Sequence, residues 1–273
     1  MALLFEYLPL ILGLMAAGVV AGLLAGLLGV GGGIVMVPAM VLVFEIIGIS
    51  KEVFQHVAVA SSLAVIISTG TVSAWAHHKK GAVMVDVLKL WSPFIIVAAL
   101  IGGLMSSVFS GDALRLVFAS VAMFGALNLV LPVQKKIMAR LGGSKTVNRI
   151  SAFVVGYVSA LMGIGGGTLS VPTLAAFGNS VHKAVGTSSA LGVILAIPAT
   201  IGFIIAGLDV GGRPSLSLGY VNIPAVLILG IVAAGFAPIG AMIAHRLNQH
   251  YLKLGFGLFL LLVAFRMIWQ VFY

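Results

Sequence analysis

Residues 26–38 read GLLGVGGGIVMVP, and residues 160–172 read ALMGIGGGTLSVP. Gly29, Gly31, Gly32 and Gly33 of the first string match Gly163, Gly165, Gly166 and Gly167 of the second without a gap, and each run closes on Val-Pro, at Pro38 and Pro172. Glycine in a helix interior is unfavourable by about 1 kcal/mol relative to alanine. Two triple-glycine runs inside apolar sequence therefore predict interruptions, where a helix stops and a second, shorter one starts. Glycine permits the unusual backbone angles of such a turn and a close approach by a ligand. The prolines lie one turn into the short helices, where they remove a further backbone hydrogen bond or help to set the helix start.

The surrounding composition decides what kind of helix is being broken. The chain has 273 residues, of which 61% are hydrophobic and 8% charged, with a mean hydropathy of +1.24. A soluble domain carries roughly 25% charged residues, so this chain reads as an all-α integral membrane protein. Its apolar stretches are long, as helical spans require and β-barrel strands of about 10 residues do not. The opening MALLFEYLPLILGLMAAGVVAGLL lacks the basic region and cleavage site of a signal peptide and reads as the first membrane helix. There is no cysteine, which excludes disulfides, iron–sulfur clusters and thiolate chemistry. The net charge of +9 sits in short loops and follows membrane topology rather than pointing to nucleic acid.

Ten apolar segments are predicted, at roughly 8–29, 32–47, 53–76, 84–109, 112–132, 147–163, 165–178, 182–207, 220–244 and 250–272. The most polar interruption, VQKKIMARLGGSKTVNR at 133–149, divides the chain near its middle. Beyond the glycine strings, HVAVASSLA from His56 matches HKAVGTSSA from His182, and IGG from Ile101 matches IGA from Ile239. The expected organisation is a first membrane repeat over 1–134, a basic cytoplasmic linker over 135–148 and a second membrane repeat over 149–273. Five segments per copy is odd, so the second copy is expected upside down relative to the first. Charge agrees. With the N-terminus outside, the inner side holds Lys79, Lys80, Lys89, Lys135, Lys136, Arg140, Lys145, Arg149, Lys183, Arg246 and Lys253, and the outer side Lys51, Arg115, Arg213 and Arg266. The second and seventh segments fall short of the roughly 20 residues a span needs. Short, glycine-broken segments at matching places in inverted halves mark a transporter's binding site.

The candidate substrate-binding residues follow: Gly31, Gly32, Gly33, Gly165, Gly166 and Gly167, whose breaks leave backbone N–H groups without partners and with a positive dipole end suited to an anion. Broken backbone at membrane depth is tolerated only beside a cavity or inside protein; the competing reading is close helix packing through small residues. Ser61 and Ser62, matched by Thr187, Ser188 and Ser189, add hydroxyl donors, although Ser and Thr are also ordinary helix–helix adhesives. Thr168 and Ser170 belong to the same class. His56 and His182 match across the halves and are candidates for proton coupling, since histidine titrates near neutral pH, or simply mark an interface. His77 and His78, before Lys79 and Lys80, form a basic inner collar rather than a metal site, because no carboxylate lies near in sequence; no metal and no cofactor is expected. The six acids, Glu6, Glu45, Glu52, Asp86, Asp112 and Asp209, all fall near segment ends, which argues against a carboxylate-lined cation pump. The G-x-G-x-x-G, G-x-x-x-x-G-K-S/T, H-E-x-x-H and G-x-S-x-G strings are absent.

GLLGVGGGIVMVP near the start, GIGGGTLSVP after a basic mid-chain loop and KAVGTSSALGVI beyond it resemble the sulfite exporter TauE/SafE family, also called the toluene sulfonate uptake permeases. The resemblance covers essentially the whole chain. It implies a multi-pass carrier of the bacterial inner membrane for small sulfur-containing anions such as sulfite, sulfonates or related organosulfur acids. Val57 stands where the second copy has Lys183, so any role of that lysine is single-copy. The expected function is secondary transport by alternating access around a midplane anion site, with protons or sodium as candidate coupling ions and no nucleic acid partner. The alternatives are an anion channel for the same solutes and an intramembrane serine enzyme, which no nucleophile motif supports. The substrate, the direction of transport, the coupling ion and the oligomeric state are left open by the sequence.

Overall fold

The computed structural model describes residues 2–28, 32–46, 48, 50–130, 142–244 and 249–272. Among them are ten α-helices: α1 (Ala2–Leu28), α2 (Gly33–Ile46), α3 (Lys51–Lys79), α4 (Val85–Leu104), α5 (Gly111–Val130), α6 (Lys145–Met162), α7 (Gly167–Ala176), α8 (Val181–Ala206), α9 (Ile223–Ala244) and α10 (Gln249–Phe272). Each predicted segment corresponds to one helix. Most of the linker over 135–148, up to residue 141, lies outside the described residues. Polar caps explain two of the starts: Ser144 accepts from the Val147 N–H ahead of α6, and Ser180 accepts from the Lys183 N–H ahead of α8.

The fold is that of an all-α membrane protein. Among the described residues, Val53–Lys79, Val85–Val108 and Val181–Ala206 are long and apolar enough to cross a bilayer, and Ile11–Ala25, Gly33–Ile46, Ile223–Ile239 and Gly257–Phe272 are shorter apolar helices. The outer surface is apolar as well. On α10, Leu254, Leu258, Leu262, Phe265 and Trp269 recur every three or four residues and are all exposed, a stripe that water would penalise and lipid tolerates.

Helices α3 and α8 pack on each other at the centre. The remaining pairings come in matched sets: α1 packs on α9 as α6 packs on α4, α3 packs on α9 as α8 packs on α4, and α5 packs on α10. Two of the crossings are glycine contacts at equivalent places. A Cβ added at Gly22 of α1 would meet the Ala233 carbonyl of α9 at 2.5 Å, and one at Gly156 of α6 would meet the Ile95 Cα of α4 at 3.0 Å. Gly22 and Gly156 stand in the same register as the glycine strings, and Ile95 and Ala233 in the register of Ile101 and Ile239. Small residues let the backbones approach in a medium that offers no hydrophobic drive for association. Between α4 and α6, the fully buried Trp91 donates from Nε1 to Asn148 Oδ1 at 2.9 Å.

The sequence reading has no counterpart for one element. Between α8 and α9, Ser217–Leu218 and Val221–Asn222 pair antiparallel as a small hairpin, β1 and β2. Gly219, at φ +55°, makes its turn so close to α8 that an added Cβ would lie 2.1 Å from the Ile204 carbonyl. Arg213 holds the loop, donating to the carbonyls of Gly219 at 3.1 Å and Leu208 at 3.0 Å.

If the glycine crossings hold the helices together, Gly22→Leu will overpack the α1–α9 contact and destabilise the protein by about 1–3 kcal/mol or more. Gly235→Ala on α9, where an added Cβ meets nothing within 4 Å, will leave the melting temperature unchanged or raise it. Thermal unfolding of the two variants in detergent checks this.

Candidate anion site at two glycine turns

Both triple-glycine runs lie at helix breaks. In the first copy α1 ends at Leu28 and α2 begins at Gly33, with Gly32 in the left-handed region at φ +77°; Gly31 lies outside the described residues. In the second copy α6 ends at Met162 on Gly163, also left-handed at φ +69°. There the Gly163 N–H donates to the Ala160 carbonyl and the Ile164 N–H to the Ser159 carbonyl, a glycine C-cap that closes off the helix. After Gly165 and Gly166, α7 starts at Gly167, and the Ser170 N–H donates to the Gly166 carbonyl at 2.7 Å. Gly166 offers no side-chain cap, and the N–H groups of Gly167, Thr168 and Leu169 find no acceptor among the described residues. Pro38 and Pro172 are each the sixth residue of their helix rather than at its start, so they withhold a donor from the carbonyls of Ile34 and Thr168 instead of setting the first turn.

The two turns meet. A Cβ added at Gly33 would lie 2.8 Å from the Gly163 carbonyl oxygen and 3.1 Å from the Ile164 Cα. They lie level with the middle of the two central helices. Ile66, near the midpoint of α3, touches Gly33 and Gly165, and Gly192, near the midpoint of α8, faces Gly165 and Gly166. Everything described in this region is buried, from Gly32 to Val37 and from Leu161 to Gly167.

Of the predicted hydroxyls, Ser62 reaches a turn, and most of the others have partners elsewhere. Ser62 donates to the Gly163 carbonyl at 2.8 Å, which satisfies an acceptor exposed by the break. Ser61 Oγ accepts from the Asn222 N–H at 3.0 Å, and Thr187 Oγ1 accepts from the Met84 N–H at 2.9 Å. Asn222 and Met84 immediately precede α9 and α4, so each central helix holds the start of the other half's fourth helix. Ser189 donates to the Val185 carbonyl at 3.0 Å and accepts from Ser73 at 3.2 Å. Ser188 has no hydrogen-bond partner among the described residues.

Three further hydroxyls at the second turn are buried and unpartnered: Ser159, one turn before Gly163, and Thr168 and Ser170 on α7. The Ser170 Oγ lies 3.1 Å from where a Gly166 Cβ would be, so it is aimed at the turn. Ser159 and Gly192 have no role in the sequence reading. Aligning the two copies residue by residue through their whole length, rather than only through the matching strings, is the signal that singles them out.

The matched histidines occupy unlike places. His56 is 4% exposed, its Nε2 lies 3.1 Å from the Ser106 carbonyl and 3.0 Å from that of Phe109, and its ring stacks on Tyr220 at 4.9 Å. Burial raises the Tyr220 phenol above its ordinary range, partly offset by Arg213, so it is neutral at physiological pH. His182 is exposed and lies edge-on to His77 at 6.3 Å. His77 is 21 residues beyond His56 on α3, about 30 Å at 1.5 Å per residue, so the two candidates for proton coupling sit at opposite ends of the protein. At that end of α3, Lys79 Nζ lies 3.5 Å over the Trp75 ring, and His77 meets His182. Among the described residues, no three His, Asp or Glu side chains converge in a way that could hold a metal ion.

Apolar helices in number, two of them interrupted level with the middle of α3 and α8, fit a multi-pass membrane transporter. Comparison with known proteins agrees. The family model for the sulfite exporter TauE/SafE family matches residues 14–267, and the chain belongs to that family. It is 34% identical over 252 residues to a probable membrane transporter protein of Haemophilus influenzae, covering 92% of this chain and 95% of that one. It is 25% identical to a probable membrane transporter protein of Methanocaldococcus jannaschii over 92% of each chain, and 27% identical to one of Xylella fastidiosa over 93% of each. No solved structure matches. The family and these relatives are transporters, not enzymes.

Ser62→Ala is expected to leave the buried Gly163 carbonyl without its donor, and Thr187→Val to leave the Met84 N–H without its acceptor. Each should lower stability by about 1 kcal/mol, and Thr187→Ser should restore it, as read by thermal unfolding in detergent.

Proposed function

We propose that the protein is a secondary transporter of the inner membrane for small sulfur-containing anions, sulfite or sulfonates by class, working by alternating access around the paired glycine turns. The observation that carries this reading is the meeting of the two turns at the middle depth of α3 and α8, with uncapped N–H groups at the start of α7. Stripping water from an anion costs several kcal/mol, and one helix N-terminus returns about 0.3–2 kcal/mol. A group of convergent donors is therefore required, and the second turn supplies it through backbone N–H groups and hydroxyls. Broken backbone is tolerated at membrane depth only where it lines a cavity or is buried in protein.

The matched helix pairings support two five-helix repeats, 1–134 and 149–273, inserted in opposite senses about the linker. In such an architecture one half rocks against the other around a fixed site. The cross-braces from Ser61 to Asn222 and from Thr187 to Met84 then decide which helices move together: α3 carries the start of α9, and α8 carries the start of α4. His56 holds the turn after α4, and His182 stands in the inner collar, so a proton taken up at either place acts on a loop rather than on the anion directly.

Radiolabelled sulfite uptake into proteoliposomes tests the reading. The wild-type protein is expected to show saturable uptake, accelerated by unlabelled sulfite on the other side. Gly32→Leu and Gly166→Leu should lose at least tenfold in rate while remaining monodisperse. A folded double variant with normal uptake overturns the site, and strictly conductive flux without trans-acceleration replaces the carrier with a channel.

A further inference from the structure

The two turns share their glycines but not their lining. At the second turn, Ser159, Thr168 and Ser170 carry buried hydroxyls without partners, and Ser159 and Ser170 are 1% and 0% exposed. In the register of the glycine strings, the same positions of the first copy are Ala25, Ile34 and Met36. For Ser170 and Met36 the correspondence holds in space as well as in sequence. A Cβ at Gly166 would meet Ser170 Oγ at 3.1 Å, and a Cβ at Gly32, its counterpart, would meet the Met36 terminal methyl at 3.1 Å and the Ala25 Cβ at 3.2 Å. The central helices differ in the same sense. Ile66 of α3 presses on Gly33 and Gly165, whereas its counterpart in α8 is Gly192, which puts no side chain against Gly165 and Gly166.

Resting on the transport reading above, we infer that the substrate site is one-sided: the anion is held at the second turn by the Ser159, Thr168 and Ser170 hydroxyls and the N–H groups opening α7, while Met36, Ala25, Ile34 and Ile66 fill the equivalent space at the first turn. Three considerations support this. A buried hydroxyl with no partner is unfavourable to keep, and three within four residues of one glycine turn are accounted for by a ligand that accepts from them. Helix α7, ten residues long, is opened by a glycine that offers no competing cap. The donors are all neutral, and among the buried described residues the charged side chains are confined to Arg115 and His56, both near helix ends away from the turns. A site of neutral donors takes a small oxyanion of single charge more readily than a doubly charged one, because the dehydration penalty rises with the square of the charge while each donor's return rises only in proportion to it.

The experiment compares matched variants from the two turns in the same vesicles and in detergent. Ser159→Ala and Ser170→Ala are each expected to raise the half-saturation concentration for sulfite at least tenfold, with a melting temperature equal to or above that of the wild type, since neither hydroxyl has a partner to lose. Met36→Leu and Ala25→Gly should change half-saturation by less than twofold. Sulfite should raise the melting temperature of the wild-type protein and of Met36→Leu, but not of Ser170→Ala. Equal effects at the two turns, or a lowered melting temperature with unchanged half-saturation in Ser159→Ala and Ser170→Ala, overturn the inference. If Gly166→Leu abolishes uptake while Ser170→Ala transports with wild-type half-saturation, the transport reading stands and the one-sided site falls. If neither change affects uptake, the placement of the substrate site at the glycine turns has failed, and the one-sided site falls with it.

Discussion

A peptide group at the middle of a bilayer has no water to bind, so every interruption of a helix there has to be answered by protein or by a ligand. This chain interrupts its helices twice, level with the middle of its two central helices, and much of the structure is arranged around the consequence. Gly163 closes α6 by turning left-handed and folding two N–H groups back onto the Ala160 and Ser159 carbonyls. Its own carbonyl is answered from another helix by Ser62. The start of α7 is not answered among the described residues, and this imbalance between a closed carbonyl end and an open N–H end is what the proposed anion site rests on.

The same constraint explains why hydroxyls at matched positions do similar mechanical work. Ser61 and Thr187 each reach across to an N–H just ahead of a helix belonging to the other half. Those N–H groups belong to the unpaired starts of α9 and α4, and a hydroxyl from a packed neighbour satisfies them without placing a charge in the membrane. The glycine crossings at Gly22 and Gly156 work alongside, bringing backbones close enough for dispersion contacts to hold helices that lipid would otherwise separate. The first five helices and the last five are thus joined by exchanged contacts rather than by a single interface.

The fold was legible in the sequence because one property dominates it. Long apolar runs separated by short charged loops have few solutions in a membrane, and the ten helices fall where hydropathy placed them. The glycine breaks were legible because three adjacent glycines contradict helix propensity so strongly, and because they occur twice. The hairpin over residues 217–222 was not. Its strands are two residues each, and it owes its existence to contacts of Gly219, Tyr220 and Arg213 with the end of α8, which no local pattern encodes. Site chemistry was legible only by residue type. Ser61, Ser62, Thr187 and Ser189 were identifiable as hydroxyls near the breaks, but whether a hydroxyl braces a helix or faces a solute depends on where the neighbouring backbone ends. Likewise His56 and His182 match in sequence, yet one is buried against Tyr220 and the other exposed beside His77.

The pattern of agreement between the halves separates scaffold from pocket. Positions that set backbone geometry agree in kind: Gly32 with Gly166, Pro38 with Pro172, Gly22 with Gly156 and Ser61 with Thr187. Positions that line the turns disagree: Ala25 with Ser159, Met36 with Ser170 and Ile66 with Gly192. A solute near a pseudo-two-fold axis has only one set of oxygens to be bound, so a second donor set facing it from the other turn would have to be dehydrated without a partner. Filling that wall with Met36 and Ile66 removes the penalty and dries the space next to the hydroxyls. In a drier surrounding each remaining hydrogen bond to an anion is stronger. On the one-sided reading proposed above, any apolar side chain that fills the first turn serves equally well, whereas the hydroxyls of the second turn have no apolar substitute.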